Sequence, residues 1–324
     1  MSEQLGALLF PSRFFAWAQN TQTTISLNAA KTLIQEGQEG TELLLLIDGR
    51  GLVSSLNDDG ESVVLAEVGA GQILGEMSFL EGRPSVASVI GQPGSQWIRI
   101  PFEILQLAVD NDKELAADFY NVLARKLALQ LQSQNALVHR WKSSEIEPLR
   151  KVLLVFAELN DLDIDWLSRK GTVQNFKHGK VLIEQGSKLN QLWIILKGEA
   201  DIFLIDDLQR QQVGSSRRGE LLGEIALLSS NSLATANVVA SSDMQLLAIP
   251  HSAITDRMDE DVAFSSRFHR ALAVLLSHRD RDQLMSHGLA SKAHANETLS
   301  LDILDNVNQA GRRFEWLCRQ AAAQ

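Results

Sequence analysis

Four short sequence patterns occur twice in this chain, in the same order and at nearly the same spacing. TLIQEG, which ends at Gly37, recurs as VLIEQG, which ends at Gly186, at an offset of 149 residues. Three further pairs keep this order: LLIDG (45–49) with IILKG (194–198), GQILGE (71–76) with GELLGE (219–224), and RIP (99–101) with AIP (248–250). A period this long is far beyond that of a solenoid repeat. The pattern therefore predicts two copies of one domain within the 324 residues.

Each copy begins with short runs of leucine and β-branched residues that are separated by glycine. Asn57-Asp58-Asp59-Gly60 is typical of a hairpin tip between two such runs. Regularly spaced short strands with turn signals favour a β-roll of the jelly-roll kind. The predicted fold class is mainly β with α: two tandem β-rolls, each followed by long helices.

Helical periodicity follows the strands in both copies. Apolar side chains recur about every four residues, which indicates one buried helix face. In the first copy they are Leu115, Phe119, Leu123, Leu127 and Leu131, and in the second Phe264, Phe268, Leu272 and Leu275. The last residues, from Thr298, predict a final helix that Gly311 weakens or interrupts. The predicted boundaries are 1–25 (apolar N-terminal segment), 26–142 (first domain), 143–154 (linker), 155–287 (second domain) and 288–324 (C-terminal loop and helix).

The bulk composition excludes several classes of function. The formal net charge of −10 argues against broad contact with nucleic acid. The single cysteine, Cys318, rules out an intrachain disulfide, and no apolar run is long enough to span a membrane. We expect a cytoplasmic protein. The apolar run from Leu5 to Trp17 either closes the core of the first domain as a short helix, which we favour, or inserts into a partner or a membrane surface.

The order of β-roll, Gly-Glu turn, strand and long helix resembles the cyclic-nucleotide-binding domain of catabolite-activator proteins and kinase regulatory subunits. The second copy is more similar, from FAELNDLDIDWLSRK onward, with the family's glycines at Gly179, Gly186 and Gly198. In this family a phosphate-binding cassette follows the pattern Gly-Glu, short helix, Pro-Arg and two small residues. The resemblance implies a first cassette within GEMSFLEGRPSVASV and a second within GEIALLSSNSLATANVV.

The first cassette (residues 75–86) and the second cassette (residues 223–235) supply the candidate ligand-binding residues. In the first they are Gly75, Glu76, Met77, Ser78, Arg83, Pro84, Ser85 and Val86. In the second they are Gly223, Glu224, Ile225, Ala226, Leu233, Ala234 and Thr235. The family resemblance implies that the glutamates accept from the ribose hydroxyl of cyclic AMP or cyclic GMP. Stabilisation of a helix start is the alternative role for both carboxylates, with or without ligand.

The arginine that clamps the phosphate in this family is missing from both cassettes. The corresponding residue is Ser85 in the first and Ala234 in the second, or Leu233 if the additional residue lies later. A hydrogen bond to a charged group contributes about 1.5–3 kcal/mol, so we expect nucleotide binding to be weak or lost. Arg83 in the first copy, or Arg217 and Arg218 before the second cassette, could replace the clamp; the alternative is that they are solvated surface residues.

No constellation of an enzyme is present in the sequence. His269, His278 and His287 are spaced by nine residues, which places neighbours on opposite helix faces and predicts packing or surface roles. We therefore expect a non-enzymatic regulatory or scaffold protein with a protein partner, and a homodimer through the helix at 111–141. The alternative is a true cyclic AMP or cyclic GMP receptor; a DNA-binding regulator is disfavoured by the acidic chain and the short C-terminal remainder.

Overall fold

The computed structural model describes residues 12–56, 60–135, 154–206, 209–286 and 301–323. The chain forms two compact units. The first unit comprises Met1–Leu127 and Leu276–Thr298, and the second comprises Ala128–Leu275 and Leu299–Gln324. The predicted linker at 143–154, except for its last residue, and the predicted loop at 288–297 lie outside the described residues.

The first unit contains a β-roll. Its strands are β1 (Thr23–Ser26), β2 (Lys31–Ile34), β3 (Glu42–Asp48), β4 (Arg50–Leu56), β5 (Ser62–Gly69), β6 (Gln72–Leu74), β7 (Ser88–Gly91) and β8 (Gln96–Pro101). They form two antiparallel sheets, ordered β1-β8-β3-β6 and β2-β7-β4-β5. β4 and β5 pair from Leu56 opposite Ser62, as the predicted hairpin requires. Its tip at 57–59 lies outside the described residues.

The central strand β3 is buried on both of its faces. Leu44 and Leu46 point into the roll and pack in one cluster with Trp97. Leu43 and Leu45, which alternate with them and so face the other side, are also fully buried. This is why the segment is a continuous leucine run and lacks the alternation of a strand with one solvated face.

The second unit repeats the same roll. Its strands are β9 (Thr172–Phe176), β10 (Val181–Ile183), β11 (Gln191–Lys197), β12 (Glu199–Asp206), β13 (Gln209–Arg217), β14 (Leu221–Leu222), β15 (Asn237–Ala240) and β16 (Met244–Pro250). The sheets are ordered β14-β11-β16-β9 and β10-β15-β12-β13, which matches the first roll strand for strand. The predicted duplication of a β-roll is therefore confirmed.

Helices precede, interrupt and follow the rolls. They include α1 (Arg13–Thr21), α2 (Glu76–Glu81), α3 (Phe102–Asn111), α4 (Lys113–Asn135), α5 (Asp161–Lys170), α6 (Glu224–Leu228), α7 (His251–Glu260), α8 (Val262–Ser286) and α9 (Leu301–Ala321). The two predicted apolar stripes lie on α4 and α8, and every side chain in them is at most 4% exposed. Homodimerisation through 111–141 stays a prediction, and residues 136–141 lie outside the described part of the chain.

The N-terminal apolar run ends in α1, which packs on the first unit. Phe14 is fully buried, and its ring lies 4.6 Å from that of Phe119. The backbone N–H of Phe14 donates to Asp118 at 2.7 Å, while Ser12 caps the helix start. The interpretation as a core-closing helix is confirmed from Arg13 onward, and residues 1–11 lie outside the described residues.

The final helix α9 runs without a break through Gly311, so the predicted interruption is wrong. Tertiary packing outweighs the low helix propensity of glycine, which costs about 1 kcal/mol. Phe314 is 3% exposed and its ring lies 5.0 Å from that of Phe156. Arg313 donates to Asp161 at 2.7 Å and to the carbonyl of Phe156 at 3.1 Å.

Shortening Phe314 tests whether α9 is an integral part of the second unit. We expect Phe314→Ala to lower the free energy of unfolding by about 3–5 kcal/mol, because it leaves a cavity beside Phe156. Trp316→Ala on the same helix is the control; that side chain is 36% exposed, and we expect a loss below about 1 kcal/mol. Urea unfolding followed by circular dichroism measures both. Equal losses would contradict the assignment of α9 to the core.

Candidate nucleotide cassettes

The glycine that opens each cassette is required by the backbone. Gly75 has φ +87° and Gly223 has φ +90°, a left-handed conformation that favours glycine. A Cβ on Gly75 would lie 2.7 Å from the carbonyl oxygen of Glu42, and one on Gly223 would lie 2.8 Å from that of Gln191. The two positions are equivalent, and their glycines are explained by a tight turn with or without a ligand.

Ser85, at the position of the missing clamp, is fixed by its own backbone. Its N–H donates to the carbonyl of Gln38 at 2.9 Å, and its carbonyl accepts from Gly37 at 2.8 Å. The side chain is buried, and its Oγ lies 3.2 Å from Oγ of Ser78. Ser85 thus contributes a small, buried hydroxyl that lies within hydrogen-bond distance of a second hydroxyl.

An equivalent pair of backbone hydrogen bonds identifies the corresponding position in the second cassette. The N–H of Gly186 donates to the carbonyl of Ala234 at 2.8 Å, and the N–H of Ala234 donates to the carbonyl of Ser187 at 2.9 Å. Ala234 therefore corresponds to Ser85. Leu233, the other candidate, forms an isolated bridge with Lys188 and is 37% exposed.

Glu76 forms a buried ion pair with Lys126 of α4. Both side chains are 5% exposed, and Nζ of the lysine donates to Oε1 of the carboxylate. The carboxylate that the family resemblance assigns to a ribose hydroxyl is thus already paired within the first unit.

Lys126 was not among the residues singled out from the sequence. The sequence feature that marks Lys126 is its charge within an apolar helix face, four positions after the buried Val122. The residue at the same offset in the second copy is Leu275, which is buried in α8. A lysine at this helix position is therefore specific to the first copy.

Arg83 lies at the edge of the first cassette and is mostly covered. Its side chain is 12% exposed, and Nη1 is 3.7 Å from Oε2 of Glu81. The same carboxylate accepts from Arg281 at 2.5 Å. Met77 and Val86 complete the cassette and are buried, as members of one small apolar cluster.

The second cassette is part of the hydrophobic core of its roll. Ala226 and Ala234 belong to the cluster that contains Trp193 and Ile195. Glu224 is 4% exposed, whereas the other cassette side chains, Ile225 and Thr235, are half-buried. In the second roll, Ala234 at the clamp position contributes its methyl group to the hydrophobic core.

The two arginines before the second cassette make other contacts. Arg217 is half-exposed, and its Nε lies 3.7 Å from the carboxylate of Glu199. Arg218 donates to the carbonyl of Leu196 at 3.1 Å, and its guanidinium lies 4.9 Å from the ring of Phe314. It also donates to Sγ of Cys318 at 3.7 Å, and burial raises the pKa of that thiol.

Among the described residues, no group of His, Cys, Asp or Glu could hold a metal ion, and no helix is long and apolar enough to cross a membrane. His269 and His278 are buried, which agrees with the predicted packing role, and His287 lies outside the described residues.

The turn glycine can be tested by comparison with a second left-handed glycine. Gly75→Ala strains the left-handed backbone and places the new Cβ against the carbonyl of Glu42. We therefore expect a loss of about 3 kcal/mol or more in the free energy of unfolding. Gly82 has φ +63° with open space around it. For Gly82→Ala we therefore expect about 1 kcal/mol, from strain alone. Equal losses in urea unfolding would contradict the steric argument.

The ion pair can be tested by removing its lysine. We expect Lys126→Met to lower the free energy of unfolding by about 3–5 kcal/mol, because Glu76 is left buried without its cation. Adding Glu76→Gln should recover most of this loss. Leu275→Met, at the matching position of the second copy, is the control and should cost less than about 1.5 kcal/mol. A Lys126→Met chain as stable as this control would show that the pair is dispensable.

The chain is similar to several known proteins. The family model described as the cyclic nucleotide-binding domain matches residues 24–112 and again residues 173–261. Patatin-like phospholipase domain-containing protein 7 of Rattus norvegicus is 21% identical over 229 residues, which is 70% of this chain and 14% of the relative. The cAMP-activated global transcriptional regulator CRP of Haemophilus influenzae is 32% identical over 100 residues, 31% of this chain and 45% of that protein. The chain thus spans less than half the length of these curated relatives.

A solved structure is also similar, at low sequence identity and a low TM-score. The regulatory domain of Toxoplasma gondii PKA, solved with cAMP, is 20% identical, covers 86% of this chain and 96% of its own, and has a TM-score of 0.33. The two matches to the family model together span more than half of the chain, one on each roll. The chain therefore belongs to the cyclic nucleotide-binding domain family, with two tandem copies of the domain.

Proposed function

We propose that this chain is a non-enzymatic regulatory or scaffold protein that acts through a protein partner and whose cassettes bind cyclic nucleotide weakly or not at all. The observation that carries the proposal is the buried ion pair between Glu76 and Lys126. A ribose hydroxyl could reach this carboxylate only in competition with the lysine. Breaking a buried ion pair costs about 3–5 kcal/mol. This cost exceeds the free energy that a hydrogen bond from a neutral hydroxyl contributes.

The clamp positions support the same conclusion in a different way. Ser85 and Ala234 carry no charge, so the cyclic phosphate would lose a bidentate partner in either cassette. That loss corresponds to roughly ten- to a hundredfold in affinity. Because Ala234 is part of the core of the second roll, a ligand there would also have to displace apolar contacts.

A second candidate function is that of a true cyclic AMP or cyclic GMP receptor. One observation favours it: the guanidinium of Arg83 lies at the first cassette and is only 12% exposed. It could turn from Glu81 towards a bound phosphate. The phospholipase and transcription activities in the names of the relatives are not carried over, since the chain covers only part of those proteins.

Titration calorimetry of the full chain with cyclic AMP and cyclic GMP separates the two candidates. We expect no saturable heat up to about 1 mM ligand, and no change in the Glu76→Gln plus Glu224→Gln variant. The Ser85→Arg variant is the matched control, because it restores the missing cation at the clamp position. A gain of binding in that variant would show that the assay detects a competent cassette.

Micromolar binding by the unaltered chain, abolished by Glu76→Gln plus Glu224→Gln, would overturn the proposal. If binding were instead abolished by Arg83→Gln, the receptor with a substitute clamp would be correct.

A further inference from the structure

The C-terminal part of α8, residues 277–285, lies against the first cassette and belongs to the first unit. We call it the latch segment. Leu284 and Met285 pack against Met77 and Val86, which are two of the cassette's own side chains. The latch segment therefore covers an apolar surface of the cassette.

A buried carboxylate of the cassette receives two hydrogen bonds from the latch segment. Oε1 of Glu81 accepts from Oγ of Ser277, and Oε2 accepts from Nε of Arg281, both at 2.5 Å. The side chains of Arg281 and Glu81 are 1% and 0% exposed. Both charges are removed from water, so each depends on the other.

Arg281 also contacts the loop that lacks the clamp. Its Nη1 donates to the carbonyl of Pro84 at 3.1 Å, one residue before Ser85. Burial lowers the pKa of the Arg281 guanidinium, and Glu81 opposes this while Arg83 adds to it. An arginine stays charged under such shifts. Within the described residues, Nη2 has no hydrogen-bond partner.

All of these contacts come from one face of the helix. Ser277, Arg281, Leu284 and Met285 follow the spacing i, i+4, i+7 and i+8, which places them in a single stripe. The corresponding residue in α4, 149 positions before Arg281, is Gln132. A cation at this position is thus a feature of α8 and not of the repeated domain.

We infer that the latch segment is an internal ligand of the first cassette, and that the Arg281–Glu81 pair fixes the cassette in one conformation without nucleotide. An effector that rearranges the cassette must first break this pair. The inference goes beyond the proposed function, since it concerns the conformation of the first cassette. It holds whether or not a nucleotide binds to the second cassette.

Hydrogen exchange of the full chain, measured by mass spectrometry, tests the latch. We expect Arg281→Gln and Glu81→Gln each to raise exchange about tenfold or more in peptides that cover 277–285 and 77–86. Arg50→Gln is the control, because Arg50 belongs to the first unit and pairs with Glu67 at 2.9 Å in an exposed position. It should leave both peptides at the rate of the unaltered chain.

The double variant distinguishes a coupled pair from two separate effects. Arg281→Gln with Glu81→Gln should raise exchange by less than the product of the single increases. Unchanged exchange in both peptides, or increases that simply multiply, would overturn the inference. If Arg281→Gln does not fold, Arg281→Lys replaces it, since lysine keeps the charge but cannot hold Glu81 and Pro84 together. Exchange of Arg281→Lys at the rate of the unaltered chain would overturn the latch as well.

Discussion

Two buried carboxylates in the first cassette, Glu76 and Glu81, must be neutralised within the protein, because an unpaired charge away from water is costly. Arg83 of the same cassette lies 3.7 Å from Glu81, and the long helices supply the two closer cations. Lys126 of α4 pairs with Glu76, and Arg281 of α8 pairs with Glu81. The long helices after the rolls are therefore part of the cassette's electrostatic structure, and the apolar contacts of Met77 and Val86 assemble around these pairs.

The two copies have the same backbone but different chemistry at equivalent positions. Both opening glycines lie against the carbonyl of the first residue of a neighbouring strand, Glu42 of β3 or Gln191 of β11, and both clamp positions make the same pair of backbone hydrogen bonds. Ser85 keeps a hydroxyl beside Ser78, whereas Ala234 joins the core. The two copies thus share the backbone geometry of the cassette, while the side chains at these equivalent positions differ.

The sequence predicted the features that depend on local pattern. The repeat, the strands and the two helical stripes follow from spacing and glycine position, and the roles of Gly75 and Gly223 follow from the turn they open. The buried pairs could not be predicted in the same way. Lys126 is 50 residues from Glu76, and Arg281 is 200 residues from Glu81. No local pattern identifies which cation meets which carboxylate across such distances.

The distance between Glu81 and Arg281 has a consequence for synthesis on the ribosome. Domains generally fold as units and N-terminal domains fold first, at about 5–20 residues per second of translation. The first roll emerges early, with Arg83 two residues from Glu81, but the arginine that donates a hydrogen bond to Glu81 is made 200 residues later. For roughly 10–40 seconds the carboxylate of Glu81 lacks the hydrogen bonds that α8 donates in the folded chain. The contacts of the first cassette are therefore completed only after the second roll has emerged.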